Sequence, residues 1–246
     1  MSLTLHCGSK SRTRDQVEAV RTPDATNTWH PTSHGMMIDI LEEKLPDHGF
    51  EITETALSLD KDGRRMFGMM SLATSNPEYS PVVGFRNAHD KMFSQEIVCG
   101  SRVFVCDNLA FSSEIYLRRQ HTPNIERDLP GIIDEALSRL GAAQDFQATQ
   151  IDSYKKFQLD EPTAHHMVVR TMKQNVFSPS KIAKVVNEWD NPRHEEFTPR
   201  TLWSLFNGVT EVLKGGNIWV RAANTQVLHK LFDECIEENE VLEDYF

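Results

Sequence analysis

The 246-residue sequence has no apolar run of about 18 residues, so it offers no candidate for a membrane-spanning helix. Its opening stretch, MSLTLHCGSKSRTRDQ, has no apolar core of signal-peptide length, and a cytoplasmic location without membrane contact is expected. Cysteine is scarce: Cys7, Cys99, Cys106 and Cys235 are scattered with no CxxC. That argues against a disulfide framework. Neither Cys99/Cys106 nor His165–His166 supplies the clustered short spacing of a zinc site, so neither metal nor cofactor is expected. The sequence also lacks a Gly-rich phosphate loop, an HExxH and a GxSxG. Positive charge is in short supply: 26 Lys and Arg against 36 Asp and Glu give a net charge of −10. Broad basic affinity for nucleic acid is therefore not expected.

The acidity is unevenly spread. Asp233 to Phe246 holds seven carboxylates and no Lys or Arg, so removing it would change the net charge from −10 to −3. Apolar residues at 39% and charged residues at 25% are ordinary for a globular chain. Four segments are expected: a flexible arm over residues 1–28, a core over 29–160, a helical subdomain over 161–232 and an acidic tail over 233–246. The arm is polar and carries Lys10, Arg12, Arg14 and Arg21.

Hydrophobic periodicity supplies the elements. Ser33 caps a helix carrying Met36, Met37, Ile40, Leu41 and Leu45, which His48-Gly49 ends. Phe50 to Leu59 alternates apolar and polar, as a half-buried strand does. Asp60-Lys61-Asp62-Gly63 reads as a hairpin turn into a returning strand, Arg65 to Thr74. Ser80 to Asn87 makes a third strand and Ser101 to Asp107 a fourth; Gln95 to Gly100 fits either a short helix or the sheet. From Asn124 the pattern is helical, with Ile125, Leu129, Ile133, Leu137 and Leu140 on one face. Later helices start near Pro162, Ser178, Thr198 and Ala222. The fold class is α+β: an N-terminal helix, a three- to four-stranded antiparallel sheet, then a helical C-terminal half.

Candidate functional residues sit where the apolar runs end. Arg86, Asn87, His89, Asp90 and Lys91 follow one run, Asp107 and Asn108 another, and Arg118, Arg119 and His121 come next. Such clusters at strand ends suggest a built site. Turn chemistry is the plainer alternative, with Arg86 pairing Asp90 and the asparagines shaping turns.

Four segments carry a resemblance: GFRNAHDK (Gly84 to Lys91), SRVFVCDNLAFSS (Ser101 to Ser113), RRQHT (Arg118 to Thr122) and TLWSLFNGVTEVL (Thr201 to Leu213). Together they resemble the phage- and plasmid-encoded family known as domain of unknown function 932, over roughly residues 30–215. Ala88 stands where that family usually has Ser. The resemblance implies a mobile-element protein, often encoded beside single-strand-binding and anti-restriction genes, without an established activity. A helix, an antiparallel meander and a long packing helix is also the arrangement of phage single-strand annealing proteins such as Erf, a likeness of topology alone.

Three functions follow as expectations. The first is a single-stranded-DNA-binding annealing, recombination or DNA-protection protein, expected as a homo-oligomer. Arg86, Lys91, Arg102, Arg118 and Arg119 would line its groove, joined by Asn87, His89, Asn108 and His121. Phe85, Phe93 and Tyr116 serve such a protein as stacking platforms or belong to the core. The second is an interaction protein that counters a host defence or regulator with its acidic surface. The third is a nucleotide- or phosphate-processing enzyme using His89, Asp90, Arg86 and His121, or a Cys106 thiol beside His121.

Overall fold

The computed structural model describes residues 10–103, 109–214 and 218–243. The chain divides into two compact units, Met1–Arg102 with Glu114–Gln144, and Val103–Ser113 with Asp145–Phe246. The architecture is α+β, and a six-stranded antiparallel sheet replaces the expected three or four strands.

In the first unit the first described element is a short strand, β1 (Lys10–Arg12). A short helix, α1 (Arg14–Glu18), and a longer one, α2 (His34–Asp47), follow. The remaining strands are β2 (Ile52–Leu59), β3 (Arg65–Leu72), β4 (Tyr79–Ala88), β5 (Gln95–Val103) and β6 (Leu109–Arg119). They lie side by side in chain order. Helix α3 (Ile125–Ser138) follows β6.

Local chemistry explains these elements. Ser33 Oγ caps α2 by accepting from the Met36 N–H at 3.2 Å. Gly49, at φ +83, takes the left-handed backbone that ends the helix. The Asp60–Gly63 turn forms as expected, with Asp60 N–H donating to Arg65 O at 3.0 Å. Gln95 to Gly100 resolves as strand. The alternation of Ile115 and Leu117 with Tyr116 and Arg118 marks β6, which the sequence reading passed over as a polar cluster.

Residues 10–20 depart from the expectation of a flexible arm. Thr13 and Gln16 form a reciprocal capping box, and Val17 is fully buried. Arg14 pairs with Glu18, Asp39 and Glu42. One apolar residue and one bridging arginine therefore hold a segment whose composition is polar.

One face of the sheet packs against α2 and α3. Leu57, Met66, Met70, Val83, Phe85, Ile97, Ile115 and Leu117 meet Met37, Leu41, Leu129 and Ile133 there. The Phe85 ring lies directly over Gly68, its partner across the β3–β4 ladder. Gly68→Ala would thrust a methyl into that buried ring. We expect a loss of about 1–3 kcal/mol, measured by denaturant unfolding; an unchanged midpoint would contradict the packing.

The second unit is helical. It takes in most of α4 (Leu140–Lys156), then α5 (Glu161–Lys173), α6 (Ile182–Asp190), α7 (Leu202–Val212) and α8 (Ile218–Glu243). Helix α7 carries the Thr201 to Leu213 signature and is buried from Leu202 to Thr210. Its polar side chains bond back to its own turns: Asn207 Nδ2 donates to Trp203 O at 2.9 Å, and Thr210 Oγ1 to Asn207 O at 3.2 Å. The expected boundary near 160 falls instead inside α4, because α4 and the later helices share one apolar interior. The acidic tail is also redrawn: α8 runs through it to Glu243. Tyr154 Oη donates to Asp233 Oδ1 at 2.7 Å, Gln150 Nε2 to Asp233 Oδ2 at 2.7 Å, and Arg170 pairs with Glu234 and Glu238.

Candidate functional site

Strand β4 sends alternate residues to opposite faces. Phe85 and Asn87 point toward α2, and Arg86 points away beside Phe67 of β3. The expected single cluster is thereby split in two, because neighbouring residues on a strand cannot share a face.

The inward half is a buried clasp centred on Asn87, which has no exposed surface. Its Nδ2 donates to Thr32 O at 3.1 Å, to Ser33 O at 3.3 Å and to His34 Nδ1 at 3.2 Å. Its Oδ1 accepts from His121 Nε2 at 2.8 Å. His89 Nε2 donates to Thr32 O at 2.8 Å, and His34 Nε2 to Gly63 O at 3.0 Å. Gln95 Nε2 donates to Thr32 Oγ1. The His34 and His89 rings stack with centroids 3.8 Å apart and 7° between planes. Every imidazole therefore carries its proton on Nε2, since each Nε2 faces an acceptor-only oxygen.

Burial sets the protonation state. Desolvation drives His34 down to about 3 and His121 down to about 4, and each also feels the neighbouring His89. His89 is lowered too, mainly by burial. Three neutral imidazoles pack together here, where a charged one would be costly. The arrangement joins the α2 entry, β4 and the segment after β6. His30 N–H adds a backbone bond to His121 O at 3.0 Å.

The outward half centres on Glu96, 2% exposed. Arg86 donates to Glu96 Oε2 through Nε at 3.0 Å and Nη2 at 2.6 Å, and its guanidinium lies 4.3 Å over the Phe93 ring. Burial lowers the Arg86 pKa, with Glu96 opposing. Tyr116 Oη donates to the same carboxylate at 2.9 Å, and burial with that bond raises the phenol. Arg118 Nε donates to Ser94 Oγ at 3.0 Å and lies 3.8 Å from Glu96 Oε1.

The other expected residues lie apart. Arg102 pairs with Glu54 at 3.0 Å and Arg119 with Asp128 at 2.6 Å. Asp90 pairs with Arg65 at 2.6 Å and not with Arg86. Lys91 is exposed, takes a left-handed φ of 63° and places Nζ 4.8 Å over the Trp29 ring. Cys106, Asp107 and Asn108 lie outside the described residues. Among the described residues no three His, Cys, Asp or Glu come together as a metal set, and no helix is long and apolar enough to cross a membrane. Sequence reasoning missed Thr32, His34, Gln95 and Glu96. The available signal was the Gln95-Glu96 pair at the start of a strand, which sends one polar residue to each face.

With this geometry in view, the family follows. The chain belongs to the family described as Domain of unknown function (DUF932), whose model matches residues 25–233. No curated protein and no solved structure matches it.

The clasp yields a pH dependence. The folded-state values of about 3 and 4 lie below the ordinary 6.5, so the unfolded chain binds protons first as pH falls. Stability from the neutral imidazoles is complete above pH 6.5 and declines as pH falls toward 4. His121→Gln keeps a donor for Asn87 and removes one titrating group. It should lower the slope of unfolding free energy against pH by about one proton across that window. Asn87→Ala leaves several buried groups unpaired and should cost about 3 kcal/mol. Equal slopes for wild type and His121→Gln, or an Asn87→Ala protein of native stability, would refute the clasp.

Proposed function

We propose that the chain binds single-stranded nucleic acid, as a phage or plasmid protein acting in strand annealing, recombination or DNA protection. The observation that carries the reading is the outward surface of β6. Tyr116 is 51% exposed and the Arg118 side chain 57% exposed, two residues apart on one strand face. Arg118 reaches Ser94, which adjoins the turn bearing exposed Lys91 and Met92. An exposed aromatic ring beside a guanidinium offers a base a stacking partner and a phosphate its counter-charge. Glu96 orients both side chains from below by accepting from Tyr116 and lying close to Arg118.

In this reading Lys91 and Arg118 touch the strand directly. Arg86 supports the surface from beneath, through Glu96 and Phe93. Asn87, His89 and His121 hold the fold that presents it. Single strands are favoured over duplex because the stacking surface needs an unpaired base. With Lys91 and Arg118 as the direct phosphate contacts, affinity should fall with salt at a slope of about one to two.

Fluorescence anisotropy with labelled single-stranded and duplex oligonucleotides, across a salt series, tests this. Single strands should bind more tightly than duplex. Tyr116→Ala should weaken binding about tenfold, while Tyr116→Phe keeps the ring and most of the affinity. Arg118→Ala should reduce the salt slope by about one. Exposed Lys184, on α6, serves as the control, and Lys184→Ala should change nothing. No binding at low salt by the folded wild-type chain would overturn the proposal.

A further inference from the structure

We propose, resting on the binding reading above, that the groove between β6 and α3 takes one base of a bound single strand and that Glu135 selects guanine there. The groove is open and holds about 280 Å³. Small-molecule sites start at about 300 Å³, so this space suits a single planar ring system. Its apolar lining includes Leu117 on β6 with Ile132 and Ala136 on α3, and Arg118, Glu135 and Arg139 supply its charged groups. Leu117 belongs to the core of the first unit, and Ile132 and Ala136 pack against that core, so the apolar lining is held in place before any ligand arrives.

The charged groups are only partly committed. Glu135 and Arg139 lie one helical turn apart, with side chains 69% and 67% exposed, and pair through Glu135 Oε1 and Arg139 Nη2. An ion pair this exposed contributes little to stability and is readily shared with a ligand. It leaves Glu135 Oε2 and the Arg139 Nε and Nη1 hydrogens without a partner among the described residues. Arg118 commits Nε to Ser94 and Glu96 and keeps its Nη1 and Nη2 hydrogens. The groove therefore offers a carboxylate to donors on a base edge. From two separate elements it offers guanidinium groups to the phosphates on either side of that base.

Bases differ in what they present to a carboxylate, which only accepts. Guanine carries two adjacent donors on its Watson–Crick edge, the N1–H and the exocyclic amine, which match a carboxylate's two oxygens. Adenine and cytosine each set one amine beside an acceptor nitrogen, whose lone pair would face the Glu135 charge. Thymine sets its one N–H between two carbonyls. In a single strand these edges are unpaired and open to side chains. Guanine is thus the base that Glu135 holds best, and two charge-assisted bonds give the pairing its direction. A seated guanine also brings its neighbouring phosphate to Arg139, a contact that a base left outside the groove does not make.

Anisotropy titrations of the full chain test this with oligothymidylate, either unmodified or carrying a single central guanine, adenine, cytosine or inosine. The guanine strand should bind about tenfold more tightly than oligothymidylate. Inosine keeps the N1–H and lacks the amine, so its strand should fall between the two. Glu135→Gln, on an exposed helix position, should abolish the guanine preference. The salt slope of the guanine strand should exceed that of oligothymidylate by about one, and Arg139→Ala should remove the excess. Equal affinity for the guanine and thymine strands, tighter binding of another base, or a guanine preference that survives Glu135→Gln would each overturn the proposal and leave the single-strand reading standing. Failure of every strand to bind would overturn both.

Discussion

Asn87 sits where three separate stretches of the first unit meet. Its amide holds the carbonyls of Thr32 and Ser33 and the ring of His34, and its oxygen holds His121. A primary amide can do this because it presents two donors and an acceptor in one plane. Without it, the entry to α2 and the exit from β6 would each leave a polar group, His34 Nδ1 and His121 Nε2, buried without this partner. Burial then keeps the three imidazoles neutral, and their neutrality lets two of them stack at 3.8 Å.

The same strand that builds the clasp also builds the outward surface. One residue of register separates Asn87, deep beneath α2, from Arg86, bonded to Glu96 on the other face. Glu96 resembles Asn87 in being a buried acceptor that organises its neighbours, but its neighbours include two exposed side chains. Rigid support of exposed groups from below suits a binding surface, since less side-chain freedom is lost on contact.

In the helical unit, polar groups are handled more locally. Asn207 and Thr210 bond to turns of their own helix, so α7 can be buried on all sides. Asp233 and Gln150 close around Tyr154, which makes the start of the acidic stretch part of the packing. Acidic composition said nothing of this, because a carboxylate's partners lie far away in sequence.

The sequence by itself determined the α+β class, the α2 cap at Ser33, the Asp60–Gly63 turn and the strand and helix periods, because each depends on residues a few positions apart. It also carried the family signatures. Tertiary structure alone decided that β1 and β6 complete a six-stranded sheet, that Arg14 and Val17 anchor the supposed arm, and that Arg86, Arg102 and Arg119 spend their charge on Glu96, Glu54 and Asp128. Those partners lie between 9 and 48 residues away. A side chain's face follows from local alternation, but what it meets there depends on which distant segment folds against that face.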